Sequence, residues 1–287
     1  LSLRRQRQMC IRDRSCAALV ICIASALFAA PDAGAAAVAT PDYQVKLRLS
    51  ETAVDAHGEP SAHFRSHFDV LGEFGSEQAV YFDTADGMLA NHGWTARLRH
   101  KDGAENYDIT YKYRLPLGDN SLSKSTVEDG LERARKLNFD ASDTNYDAQV
   151  NASAETSTLD FSNKKSAACV TSQCEIPSVD DAVALVAGLE PGKLKKSTGT
   201  ALSAVDVKMS QTVNQQTWRV EIGGIKTDLE VATFGDQVWV EVSEEDTSRN
   251  DAIRKRETLI AELENAGLLV HADAFKTGEV LESGWQE

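Results

Sequence analysis

Several features that would settle the chemistry at once are missing from this chain. It contains no serine-hydrolase elbow and no phosphate-binding glycine loop, which excludes hydrolysis and nucleotide binding on those plans. Its six histidines show no metal-ligand spacing; His63 and His67 lie four apart, but no acidic third ligand follows them. Of five cysteines, Cys10, Cys16 and Cys22 fall near the start, leaving Cys169 and Cys174 for the body of the chain. A zinc site would need a second pair, and there is none. Basic residues are in deficit, with 30 Lys and Arg against 44 Asp and Glu, a formal net charge of -14. That balance argues against nucleic acid or an anionic membrane surface as a partner. It leaves open an anion held inside a cavity, where local charge decides.

What is present first is a leader pattern. Arg4, Arg5, Arg7, Arg12 and Arg14 precede an apolar run from Leu19 to Ala30, which ends in Ala33-Gly34-Ala35-Ala36-Ala37. Basic, apolar, then small is the order of a secretory signal peptide, expected over residues 15–40. The run is short for a transmembrane helix. The expectation is therefore a periplasmic or secreted protein with no membrane span in its mature part. Residues 1–14, which hold those arginines, resemble a translated sequencing adapter and begin at Leu rather than Met; beyond the leader pattern they enter no argument. In an exported protein, Cys169 and Cys174, with four residues between them, are expected to form a local disulfide; free thiols are the alternative.

The 287 residues, 42% hydrophobic and 26% charged, suit a globular fold and permit a single domain over 41–287. Tyr43 to Leu49 alternates, with Val45, Leu47 and Leu49 on one face and Gln44, Lys46 and Arg48 on the other. Further strands are expected at 79–82, 95–100, 106–115, 201–209, 217–222, 225–231 and 237–243. Helices are expected at 61–71, 179–189 and 249–266, the last capped by Ser248 and ended by Gly267. Residues 138–178 are polar and read as an insertion or long excursion, with a candidate strand at 158–161.

Side chains two apart on a strand share a face. Arg97 and Arg99 therefore share one, and so do Lys112 and Arg114. Basic ladders on neighbouring strands, in an acidic chain, suggest a sheet that holds a polyanion. The element pattern suggests a mainly β, α+β fold. Its antiparallel sheet of about eight strands closes into a barrel or tunnel with helices packed outside. A polar interior in such a barrel implies a ligand or a water-filled tunnel.

Tyr-Phe-Asp-Thr at 81–84, Arg-Leu-Arg at 97–99, Thr-Tyr-Lys at 110–112 and Val-Trp-Val-Glu-Val at 238–242 follow the opening strand in this order. Together with the helix after them, these pieces resemble the CYTH superfamily, the triphosphate tunnel metalloenzymes. The resemblance implies a tunnel in which basic side chains grip a triphosphate or polyphosphate. Here those would be Lys46, Arg48, Arg97, Arg99, Lys112 and Arg114. It also implies acidic side chains that hold a divalent metal, since phosphoryl transfer needs charge neutralised on several oxygens.

The chain departs from the family's opening Glu-x-Glu-x-Lys, carrying Gln44, Lys46 and Arg48 at those positions. Glu241, Asp228 and Glu230 remain as metal-ligand candidates, and Lys46 would repel a cation. Lys46 has two readings, as an anion ligand or as a partner of Glu241 in place of the lost metal. Glu241 equally has a reading as a salt-bridge partner of Arg97 or Arg99. Three functions follow. The first is an exported tunnel protein that binds a small phosphorylated or polyphosphate-type anion and has lost standard metal-dependent catalysis. The second is a divergent tri- or polyphosphate phosphohydrolase, which requires Mg²⁺ or Mn²⁺. The third is a structural barrel whose charges pair internally; neither it nor the first requires a cofactor.

Overall fold

The computed structural model describes residues 36–170, 173–272 and 275–286. The adapter-like segment and most of the expected leader lie outside the described residues. Within the leader span, Val38 and Ala39 pack on the hydrophobic core, and the Ala37 carbonyl accepts from the Ala141 amide. The fold thus takes in residues that the signal pattern placed before it.

Ten strands form one sheet: β1 (Asp42–Leu49), β2 (Asp69–Thr84), β3 (Trp94–Lys101), β4 (Asn106–Pro116), β5 (Asp147–Ala152), β6 (Ser157–Ala168), β7 (Val207–Met209), β8 (Val213–Ile222), β9 (Ile225–Phe234) and β10 (Gln237–Asp246). Nine of them close a ring in the order β3–β4–β6–β5–β1–β10–β9–β8–β2 and back to β3. Closure removes the free edges of an open sheet. The short β7 pairs only with the end of β2. Neighbours run antiparallel except β1 and β5, which are parallel. The count is therefore nine rather than the expected eight or so, and one pair is not antiparallel.

The difference comes from residues 138–178. This stretch supplies β5 and β6, two staves of the ring, rather than an excursion from it; the candidate strand at 158–161 is the first part of β6. Its polarity is what obscured it. Gln149, Asn151, Thr158, Ser162 and Lys164 all face the interior, which is polar in this fold. β2 is also longer than expected. Its first half, at 69–75, is exposed and bulged against β8, so alternation there is weak. The expected strand at 201–209 shrinks to β7, and the helix expected at 61–71 shrinks to α1 (Ala62–His67).

The ring is apolar outside and charged inside. On β1, Tyr43, Val45, Leu47 and Leu49 are buried under the helical layer, while Gln44, Lys46 and Arg48 line the interior. On β3, Trp94, Ala96 and Leu98 point outward, and Thr95, Arg97 and Arg99 inward. One side of the ring carries α2 (Met88–Asn91), α3 (Lys124–Lys136), α4 (Val179–Gly188) and α5 (Gly192–Thr198), which contribute Leu89, Val127, Leu131, Val186 and Leu194 to a large core. A second core joins α1 and α6 (Arg249–Asn265) to β1, β8, β9 and β10, through Phe64, Leu259 and Leu263. Ser248 caps α6 by accepting from the Asp251 amide, as its position predicts.

A last helix, α7 (Lys276–Glu282), has no counterpart in the sequence reading. Its Val280 is fully buried in a small cluster with Tyr81, Val213, Phe234 and Trp239. Tyr81 and Trp239 line the interior, so α7 closes off one part of it. Among the described residues no helix is long and apolar enough to cross a membrane.

Candidate functional site

The interior of the ring is one cavity of about 1400 Å³. Lys46, Arg48, Arg97, Arg99, Lys112, Arg114 and Glu241 all line it, as do Asp228 and Glu230. Strand parity brings them together. Each sits on the inner side of β1, β3, β4, β9 or β10, opposite the residues that build the outer cores.

Strand register sets two glutamates side by side, Glu241 on β10 opposite Glu230 on β9. Like charges directly opposite destabilise a sheet unless something neutralises them. Two ammonium groups do so. The Lys46 Nζ lies 3.0 Å from Glu241 and 3.7 Å from Glu230. The Lys276 Nζ, delivered by the first residue of α7, lies 3.3 Å from Glu241 and 3.4 Å from Glu230, and donates to Gln215 at 2.6 Å. Glu241 also accepts from the Trp239 indole at 2.8 Å, and Glu230 from the Ser243 hydroxyl at 2.5 Å. Burial pushes the Glu241 carboxyl up, but Lys276 and Lys46 outweigh it and hold the group well below the usual carboxylate range. Burial likewise disfavours both ammonium charges, yet the two glutamates raise Lys46 and Lys276 above the ordinary lysine value.

Beside this quartet the charge is not balanced. Lys112 and Arg114 share one carboxylate, the fully buried Asp160 of β6, at 3.2 and 3.5 Å. Arg97 has no carboxylate within salt-bridge distance among the described residues; burial disfavours its charge, while Tyr81, Glu77 and Glu230 favour it. The five cations Lys46, Arg97, Lys112, Arg114 and Lys276 thus face three carboxylates, an excess of two charges. Lys112 registers the excess. Its pKa is lowered by burial and by the cations Arg114, Lys46 and Arg97, against the opposing pull of Asp160.

Farther out the cations are matched. Arg99 pairs with Glu77 at 3.1 Å and Asp108 at 3.0 Å. Arg48 lies over the Trp239 ring and 3.6 Å from Glu279 of α7. Asp228 pairs with Arg219 at 3.1 Å, and burial raises its pKa. The sequence missed Lys276, Asp160, Tyr81, Glu77 and Glu279. Glu77 carried a signal, because it extends the parity of the strand expected at 79–82; Asp160 lay in the stretch read as an excursion. Lys276 and Glu279 carried none, since nothing in a short polar helix says that it packs into the ring.

The carboxylates proposed for metal do not fit that role. A hard divalent cation needs several oxygen ligands free to coordinate it. Glu230 and Glu241 are each held by two ammonium groups, Asp228 is turned to Arg219, and β1 offers Gln44, Lys46 and Arg48 instead of acids. The alternative pairing of Glu241 with Arg97 or Arg99 does not form; Lys46 and Lys276 take it. The cysteines form a disulfide, with Cα atoms 5.0 Å apart. His100 lies close to both sulfurs, but bonded sulfurs are not thiolate ligands. His63 bonds the Ala266 carbonyl at the end of α6, and His67 the His63 carbonyl within α1.

A family model of the CYTH domain matches residues 73–268. The chain belongs to the CYTH family, and its closed ring with charged interior is that family's tunnel fold. Among solved structures, a Hippeastrum protein named as a candidate adenylyl cyclase, with a dominant triphosphatase activity described for it, superposes with a TM-score of 0.50. The two are 15% identical, over 84% of this chain and 95% of the other. A Bacillus halodurans protein named as a candidate adenylate cyclase has a TM-score of 0.45 at 13% identity, over 83% and 96% of the two chains. Among curated proteins no sequence matches the chain.

Proposed function

We propose that this protein binds a small phosphorylated or polyphosphate-type anion inside its tunnel and lacks the standard metal-dependent catalysis of a triphosphatase. The observation that carries the binding half is the excess of cations at the centre. Arg97 stands without a carboxylate, and Lys112 and Arg114 share one. With the outer pairs of Arg48 and Arg99 included, seven cations meet six carboxylates; the surplus falls to one charge overall, and the two-charge excess is local to Arg97 and the surroundings of Asp160. A multivalent anion would neutralise it. Arg97 and Arg114 offer planar forks suited to phosphate oxygens, and Lys112 a point charge. The triphosphatase activity described for the Hippeastrum protein agrees with a phosphorylated ligand. Export to the periplasm or beyond, on the leader pattern, remains part of the proposal.

The catalytic half rests on the lost acids. With Gln44 and Lys46 at the family's metal positions and both glutamates held by ammonium groups, Glu230 and Glu241 are not free for a metal that bridges phosphates and water. The test is phosphate release from tripolyphosphate, with and without Mg²⁺ or Mn²⁺, beside equilibrium binding of the same anion. Binding without turnover is expected. Turnover at about 1 per second or faster with metal would establish the phosphohydrolase instead. Absence of binding would leave the internally paired barrel.

A further inference from the structure

We propose that Lys46 and Lys276 together take the place of the tunnel's divalent cation, so that the protein binds polyphosphate without metal. The inference rests on the anion-site reading above and adds the part played by α7.

The charge balance comes first. Two carboxylates and one divalent cation sum to zero. So do Glu230, Glu241, Lys46 and Lys276. The two ammonium groups occupy the position where a metal would have to approach both carboxylates, each within 4 Å of both. A bound metal would have to expel two buried cations from their counter-ions, leaving each desolvated and unpaired.

Donor geometry divides the labour. An ammonium has three N–H donors. Lys276 directs its contacts to Gln215, Glu230 and Glu241, and its side chain is 13% exposed. It is a neutralising and positioning group with no donor to spare. Among the described residues Lys46 has polar contacts to the two glutamates only, and its side chain is 33% exposed, on the cavity. It keeps a donor for a ligand oxygen, as a metal keeps an open coordination position. Lys46 also acts electrostatically on Lys112, and Arg97 on Lys276, so the quartet adjoins the cation-rich centre.

The second half of this built-in dication comes from α7, which is anchored independently by Val280 in its apolar cluster and by Glu279 on Arg48. The C-terminal helix therefore supplies what an ion from solution would otherwise provide.

The experiment is calorimetric titration of tripolyphosphate into the full chain, in buffer with EDTA and in buffer with Mg²⁺. It is run on wild type, Lys276→Met and Lys276→Arg. Wild type is expected to bind in EDTA at least as tightly as in Mg²⁺. Lys276→Met should lose about tenfold or more in EDTA, a change of about 1.4 kcal/mol, and recover part of it in Mg²⁺, because a vacated carboxylate pair can then take the metal. Lys276→Arg should keep metal-free binding. Wild-type binding that EDTA abolishes overturns this inference and leaves the anion site standing. Equal affinity of Lys276→Met and wild type in EDTA overturns it too. No binding by wild type in either buffer overturns the anion site itself, and the inference with it. If Lys276→Met fails to fold, the wild-type comparison between the two buffers still decides.

Discussion

Replacing Glu241 with Gln should weaken the protein and strengthen its grip on an anion. Glu241 is 5% exposed and accepts from Lys46 at 3.0 Å, Lys276 at 3.3 Å and Trp239 at 2.8 Å. Glutamine keeps one acceptor oxygen and brings two donors, so one of the three present donors loses its partner. The two ammonium groups are then left with Glu230 alone. Removing one member of a buried ion pair costs about 3–5 kcal/mol. Because Lys46 is a third exposed, about 2–4 kcal/mol is the better expectation here. For a domain of this size, that lowers the melting temperature by about 5–15 °C. A phosphate about 5 Å away gains about 3 kcal/mol from the lost negative charge at an effective dielectric of about 20. Solvent in the tunnel reduces this to about 1–2 kcal/mol, or roughly five- to thirtyfold tighter binding. Thermal unfolding and calorimetry read the two effects separately. A variant as stable as wild type with unchanged affinity would refute the reasoning, because it would mean that Glu241 neutralises nothing.

The same group predicts an acid limb. Its pKa is depressed in the folded state, so its stabilisation is present above the ordinary carboxylate value and lost as pH falls through the lower folded value. Acid unfolding should be shallower in Glu241→Gln than in wild type, and identical limbs would contradict this. Lys112, lowered by burial and its cationic neighbours, should take up a proton when an anion binds at alkaline pH. Calorimetry in two buffers of different ionisation heat would show the uptake; equal apparent heats would count against Lys112 as a contact. Cys169 and Cys174 should resist alkylation until reductant is added, and their short loop should contribute at most about 3 kcal/mol. Mass spectrometry that finds both modified without reductant would exclude the bond.

Legibility in the sequence followed the fold's inversion of inside and outside. Where a strand alternates apolar and charged residues, as in Tyr43–Leu49 or Trp94–Arg99, both its existence and its inner face could be read. The six predicted cations come into one cavity for that reason. Strands whose inner face is mainly uncharged polar residues, with no run of one charge, were harder to read. β5 and most of β6 looked like an insertion because their inner faces mix Gln149, Asn151, Thr158 and Ser162 with isolated charges of opposite sign, Asp160 and Lys164. The carboxylate partners were harder still. Which acid meets which cation depends on register across strands, and Asp160 reaches Arg114 only because β4 pairs with β6 at that step. α7 was out of reach altogether. Its role depends on Val280 and Lys276 entering the ring, and seven residues of mixed polarity carry no periodicity that says so.

The most direct test of the account is the affinity of tripolyphosphate for wild type and for Arg97→Ala, titrated in EDTA. Arg97 has no carboxylate within salt-bridge distance among the described residues, so its loss removes charge from the ligand without breaking a salt bridge in the tunnel. The account predicts measurable metal-free binding by wild type and a loss of about 1.5–3 kcal/mol in the variant, tenfold or more. Equal affinities, or no heat with wild type, would show that the cations serve only their own carboxylates.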